Sequence, residues 1–319
     1  LLGSIAMVSL LLRLPEIWLR KFVQGYVFVI GGISFVSLID FFLVPNLFGG
    51  LVAGGLQGPF RNTGQAGSFF GVHLAIVLAF VLGGVIPRTV LNAALVVAIS
   101  LALLFTLKRA SLVATSVGIF LLTARMAFSI RSSQRRLALA FAGLSLVASM
   151  GGLLMFGWAQ EVVPDFDWRL GQKYNANILR QFSEGFFAEN VNSTFAALSD
   201  NPLIGVGLDN VRGIYQYHEI HSTYLGVLAY GGLLGAIGYV LFIGVFVSTT
   251  YSESKSEPKN DWTMFLCIIL PLLIGLLIGW AYTYHIRKRE FWILVTFVVV
   301  AIHMSRNLRK VHKKNNERY

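Results

Sequence analysis

Residues 67–86 read GSFFGVHLAIVLAFVLGGVI, twenty positions without a carboxylate, an ammonium or a guanidinium. As a helix rising about 1.5 Å per residue, such a stretch is roughly as long as the ~30 Å hydrocarbon core of a bilayer is thick. It lacks the alternation of polar and apolar residues that marks a barrel strand. A continuously apolar segment satisfies its own backbone in lipid only as a helix. Working outward, similar runs cover 23–44, 90–107, 111–128, 137–157, 223–249, 262–284 and 291–304. The chain is therefore expected to be an all-α, polytopic integral membrane protein.

Composition agrees with this. Of 319 residues, 55% are hydrophobic and only 13% charged, with a mean hydropathy of +0.69. An ordinary soluble domain is about one quarter charged, so one integral domain is expected. The run before Arg13 is about 12 residues, too short to span, and reads as the remainder of a longer amino-terminal helix set. The expected organisation is transmembrane helices over 1–157, an extracytoplasmic loop with short helices over 158–222, transmembrane helices over 223–304 and a basic cytoplasmic tail over 305–319. Cys267, the single cysteine, lies in an apolar run, which excludes an intramolecular disulfide and a thiol metal site.

Orientation follows from the cations, because cytoplasmic loops hold the excess of Lys and Arg. One side of the alternation carries sixteen of the 26, among them Arg13, Arg20, Lys21, Arg88, Lys255, Arg306 and Arg309. That side is expected to be cytoplasmic and to contact anionic membrane lipids. The charge flanks spanning helices, and no aromatic-basic platform stands apart from them, so no nucleic-acid partner is expected. The HIRKRE turn at 285–290 is the exception, placing three bases on the outer side.

The outer side also gathers the polar residues that a bundle has no structural reason to keep. In FRNTGQAGSFFG, Arg61 precedes a helix opening through Gly64, Gln65, Gly67 and Ser68. Such a helix end beside an arginine can cradle a phosphate, and a snorkelling interfacial arginine is the structural alternative. In LKRASLVATSVG, Lys108 and Arg109 occupy a very short outer turn, as anchors or as ligands for an anion. The long loop adds Arg180, Arg212 and the turn-rich SDNPLIGVGLDN; its GVG lacks the spacing of a nucleotide-binding loop.

That loop closes on YQYHEIHSTYLGVLAYGGLLG, which brings His218, Glu219, His221 and Ser222 together before a helix starting near Thr223. HEIH is not HExxH, whose histidines stand four apart on one helical face, so no metal is expected. An imidazole beside cations has its pKa pushed down and is a free base at neutral pH. His221 is the candidate general base, with a helix-capping interfacial histidine as the alternative. His73, His285 and His303 read as structural residues. Asn192, Ser193 and Thr194 form a glycosylation sequon.

Together, the arginine turn before a helix, the long outer loop, NPLIGVGLDN and HSTYLGVLAYGGLLG resemble the O-antigen ligase and O-antigen (exopolysaccharide) polymerase family of bacterial envelopes. The resemblance runs from Arg61 to near Tyr239. It is most specific where H-S-x-x-L precedes G-x-L-G, at His221, Ser222, Leu225, Gly232, Leu234 and Gly235. Arg109 matches the arginine of the family's S-R-G stretch, with Lys108 and Ala110 departing from its neighbours. Phe70 stands near where many members have Asn, and Tyr230 where an acidic residue is frequent. The resemblance implies a helix bundle of the membrane-embedded C type of glycosyltransferase, in the bacterial inner membrane with its active face outside. The implied donor is an undecaprenyl-diphosphate-linked glycan and the implied acceptor a glycan or lipid A core, with no cofactor. Arg109 and Arg180 would hold the diphosphate with Arg61 and Arg212 in support, Lys108, Ser222, Glu219 and His218 would be secondary, and His221 would be catalytic. A secondary transporter, or a non-catalytic lipid-carrier-binding subunit of polysaccharide export, is the alternative.

Overall fold

The computed structural model describes residues 2–44, 47–48, 55–127, 158–161, 163, 165–167, 185–207, 211, 214–215, 219–257, 259–286 and 288–316. The apolar run expected at 137–157 lies outside them, as do Arg180, Arg212 and His218. The described residues are all-helical: α1 (Leu2–Arg13), α2 (Glu16–Phe42), α3 (Thr63–Gly83), α4 (Val90–Phe105), α5 (Arg109–Ala127), α6 (Phe186–Asp200), α7 (Thr223–Ser254), α8 (Asp261–Gly279) and α9 (Arg289–Asn316). Six of them, α2, α3, α5, α7, α8 and α9, are long and apolar enough to cross a bilayer, which makes the chain a multi-pass membrane protein. The run at 90–107 gives the shorter α4, of 16 residues.

Polar side chains at the starts of the helices take up backbone N–H groups that a helix cannot satisfy itself. Asn62 accepts from Gln65 N at 2.9 Å, Thr89 from Asn92 N at 3.2 Å, Ser222 from Leu225 N at 3.3 Å and Asn260 from Thr263 N at 3.0 Å. Each such cap stabilises its helix by about 1 kcal/mol.

Helices α3 and α8 form the centre of the bundle, and almost every side chain of α3 is buried. Around them pack α2, α4, α5, α7 and α9. The contact of α8 with α5 is made by small residues four apart: Gly275 and Gly279 lie against Ala110, Ala114 and Gly118. A Cβ on Gly279 would stand 2.5 Å from Ala114 Cβ, and one on Gly118 3.0 Å from Leu272 Cα. In lipid, where burial of apolar surface does not drive helices together, this close backbone approach supplies the dispersion energy.

The two ends of the bundle differ in charge chemistry. At one, Arg20 bonds Glu16 at 2.7 Å, Asp261 at 2.9 Å and the Val85 carbonyl at 2.9 Å. There Glu253 accepts from Arg306 Nε at 2.6 Å and also from Arg309. Helix α9 runs on to Asn316, so the described part of the basic segment expected as a tail continues a helix. At the other end of α8 stand Lys108, Lys288, His221 and His285.

Candidate functional site

The site begins with a strained turn. Between α4 and α5 the chain reverses over Thr106, Leu107 and Lys108, and Leu107 adopts φ 53°, a left-handed conformation that a side chain disfavours by about 1–2 kcal/mol. Thr106 Oγ1 accepts from Lys108 N at 3.3 Å and steadies the turn. The lysine side chain is thereby laid across the amino end of α3. A Cβ on Gly67 would stand 2.5 Å from Lys108 Cβ, and one on Gly64 3.7 Å from its Nζ. These glycines are the room in which Lys108 lies.

The α8–α9 turn brings a second ammonium to the same helix end. Lys288 Nζ donates to Ser68 Oγ at 2.8 Å, and Ser68 Oγ donates in turn to the Gly64 carbonyl at 2.9 Å. Burial, and then the charge of Lys108, push the Lys288 pKa down to about 8, against the opposing pull of Glu290 and Glu219. Three residues earlier His285 is 3% exposed and stacks on Trp280 at 5.3 Å. Burial foremost, then Lys288 and Lys108, hold its imidazole well below the usual pKa. Ser68, Gly71, Ser111, Trp280, Thr283 and His285 line one small cavity there.

His221 is held beside these lysines by several elements at once. Its N–H donates to Asn190 Oδ1 of α6 at 3.1 Å, and the preceding Ile220 N–H donates to Tyr230 Oη at 3.3 Å. Thr223 N and Oγ1 donate to the Thr283 carbonyl at 3.1 and 2.6 Å, and His285 N donates to Thr223 Oγ1 at 3.0 Å. The start of α7 is thus tied to the turn that carries Lys288.

A second tie lies deeper. Helix α7 breaks at Gly232 (φ 59°), and the 202–207 segment fills the break. Val206 N and Gly207 N donate to the Ala229 and Tyr230 carbonyls, while Leu233 N and Leu234 N donate to those of Pro202 and Leu203, all between 2.9 and 3.1 Å. A Cβ on Gly205 would stand 2.5 Å from Gly232 N.

The ring of His221 has a defined orientation. Its Nδ1 lies 2.6 Å from the Glu219 carbonyl, which can only accept, so Nδ1 carries the proton and Nε2 is the basic nitrogen. The residue reaches the surface, yet desolvation by the surrounding protein lowers its pKa. The Glu219 carbonyl opposes that shift, and the charges of Lys108 and Lys288 add to it.

The remaining residues expected at the site separate into groups. Arg109 is half-buried as the first residue of α5, and Arg61 is exposed before α3. Among the described residues, Lys108 and Lys288 are cations whose charges lower the His221 pKa. Ser222 caps α7. Arg180, Arg212 and His218 lie outside the described residues. His73 is buried inside α3, 4.0 Å from the Phe69 ring. The sequon sits on α6, where Ser193 and Thr194 are buried.

Lys288, His285 and Asn190 are the site residues that sequence reasoning did not single out. The signal for Lys288 was the run of bases in HIRKRE on the side that normally excludes them. No known protein family, curated protein or solved structure matches the chain.

Proposed function

We propose that this protein transfers glycan from an undecaprenyl-diphosphate-linked donor to an acceptor hydroxyl, as an O-antigen ligase or polysaccharide polymerase. The observation that carries the reading is His221: an imidazole with a fixed tautomer, its basic Nε2 kept unprotonated at neutral pH by its surroundings, standing among cations. In the step, the acceptor oxygen attacks the anomeric carbon while its proton passes to His221 Nε2. The glycosidic C–O bond to the diphosphate breaks, and the diphosphate leaves with the electron pair. Cations placed where that negative charge develops lower the barrier. General-base removal of the proton contributes about 10²- to 10⁴-fold.

Arg109 and Arg180 serve the leaving diphosphate in this reading, with Arg61 and Arg212 in support. The resemblance in HSTYLGVLAYGGLLG and KRASLVATSVG supports the assignment to that family and to the C type of membrane glycosyltransferase. The side of the bundle holding the site faces outward from a bacterial inner membrane, and the opposite, arginine-rich end meets anionic lipid. Acceptors are a growing glycan or a lipid A core. The test is incubation of the protein with a lipid-linked oligosaccharide and candidate acceptors, followed by mass analysis. Ladders of repeat units mean polymerase and single-step capping means ligase; no product from any acceptor overturns the proposal.

A further inference from the structure

We infer that the α8–α9 turn and the amino end of α3 form a binding site for a phosphate-class anion, gripped by Lys288 and Lys108 over a floor made by Trp280 and His285. Three independent features meet there. The first is charge. Lys288 and Lys108 both lie at α3, a 21-residue helix whose amino end carries the positive end of its dipole. Among the described residues no carboxylate comes within 4 Å of the Lys288 ammonium, whose hydrogen bond goes to the Ser68 hydroxyl. Glu219 and Glu290 reach it through their fields, but burial and Lys108 outweigh them. A desolvated ammonium without an ion partner is costly, and an anion seated there offsets the cost.

The second feature is a pair of orphaned nitrogens. Trp280 and His285 are 1% and 3% exposed, and among the described residues Trp280 Nε1 and His285 Nδ1 have no hydrogen-bond partner. Indole N–H is a donor only, and a neutral imidazole can donate through Nδ1. Both side chains line the small cavity beside Ser68. Donors on side chains that line one cavity ask for an acceptor atom, and Ser68, which shares that lining, is the partner of Lys288, so an anion held by the lysines can offer the cavity a single oxygen.

The third feature is construction. Glycine at 64 and 67, the left-handed Leu107 and the ties from Thr223 to Thr283 and His285 all act to bring separate chain segments to this point. The chemistry fits a phosphate or a diphosphate, either free or as a lipid headgroup. That it is the donor's diphosphate rests on the function proposed above; that the site binds such an anion does not.

The test uses the full chain in nanodiscs of zwitterionic phosphatidylcholine, titrated with inorganic pyrophosphate by calorimetry. Wild-type protein is expected to bind. Lys288→Gln should weaken binding about tenfold or more, the scale of a lost charge-assisted hydrogen bond. Trp280→Phe, which keeps the ring packing and deletes the N–H, should weaken it several-fold and stands in if the lysine variant does not fold. No binding by wild type, or affinities unchanged in the folded variants, overturns the site. Undecaprenyl diphosphate placed in the nanodisc should compete with pyrophosphate. Lysine-dependent binding without that competition keeps the anion site and overturns the lipid source. Glycan product is measured separately, so loss of the enzymatic reading and loss of this site are distinguishable.

Discussion

Lys288 Nζ donates to Ser68 Oγ at 2.8 Å across 220 residues of sequence, and this bond joins the turn after α8 to the first turns of α3. Helix α3 is the central helix of the bundle, so a cation fixed to it has little freedom to move. The same two lysines act on His221 and on His285. The base and the cation pair are therefore coupled through charge.

Replacing His221 by alanine should abolish glycan transfer and leave the fold intact. The side chain reaches the surface, and its backbone bond to Asn190 survives the change. In wild type the working form is the free base, and the surroundings lower the pKa from 6.5. Activity should therefore fall on an acid limb whose midpoint lies below 6.5, as a product-versus-pH curve will show. A limb centred above 6.5 would contradict the site's electrostatics.

Anion affinity should depend on pH through Lys288. Its pKa, pushed down to about 8, means that the charged ammonium is present below that pH and is lost above it. Pyrophosphate binding is then expected to weaken as pH rises through about 8 in wild type. Lys288→Arg should flatten this dependence, because a guanidinium stays protonated. The charged and titratable groups facing it, Lys108, His285, Glu219 and Glu290, are common to both proteins. Calorimetric titrations at several pH values compare them.

Gly205→Ala and Gly232→Ala should each disrupt the splice between the 202–207 segment and the broken α7. Both positions have positive φ, 68° and 59°, and each new Cβ would stand 2.5 Å from the other segment's backbone. Left-handed strain and overpacking together cost about 2–4 kcal/mol. A lower thermal midpoint with faster proteolysis in the 202–207 segment is the expected result.

Gly275→Ala tests the packing of α8 on α5. Its Cβ would meet the Ala114 carbonyl oxygen and the Gly118 backbone, which cannot yield as a flexible side chain would. About 1–3 kcal/mol of destabilisation is expected. Gly238→Ala on α7, where a Cβ meets open space, is the control and should be neutral or slightly stabilising. Melting curves of the two variants in the same detergent decide between them.

Much of the architecture was legible without coordinates. The run at 67–86 alone requires a helix, because an uninterrupted apolar segment in lipid has no other way to satisfy its backbone. The start of α7 just after Ser222 was legible too, since capping is settled within three residues of chain. The alternation of sides anticipated that Arg20 and Arg306 share one end while Lys108 and His221 share the other. What the sequence could not reveal was adjacency. Lys288 reaches Ser68, Asn190 reaches His221 and the 202–207 segment enters α7 only because helices distant in the chain pack side by side. His285 read as a structural histidine because its neighbours in sequence say nothing of Lys108, whose field it shares. Local chemistry fixes which segments are helices; long-range packing, set by small residues such as Gly67 and Gly275, decides which side chains meet.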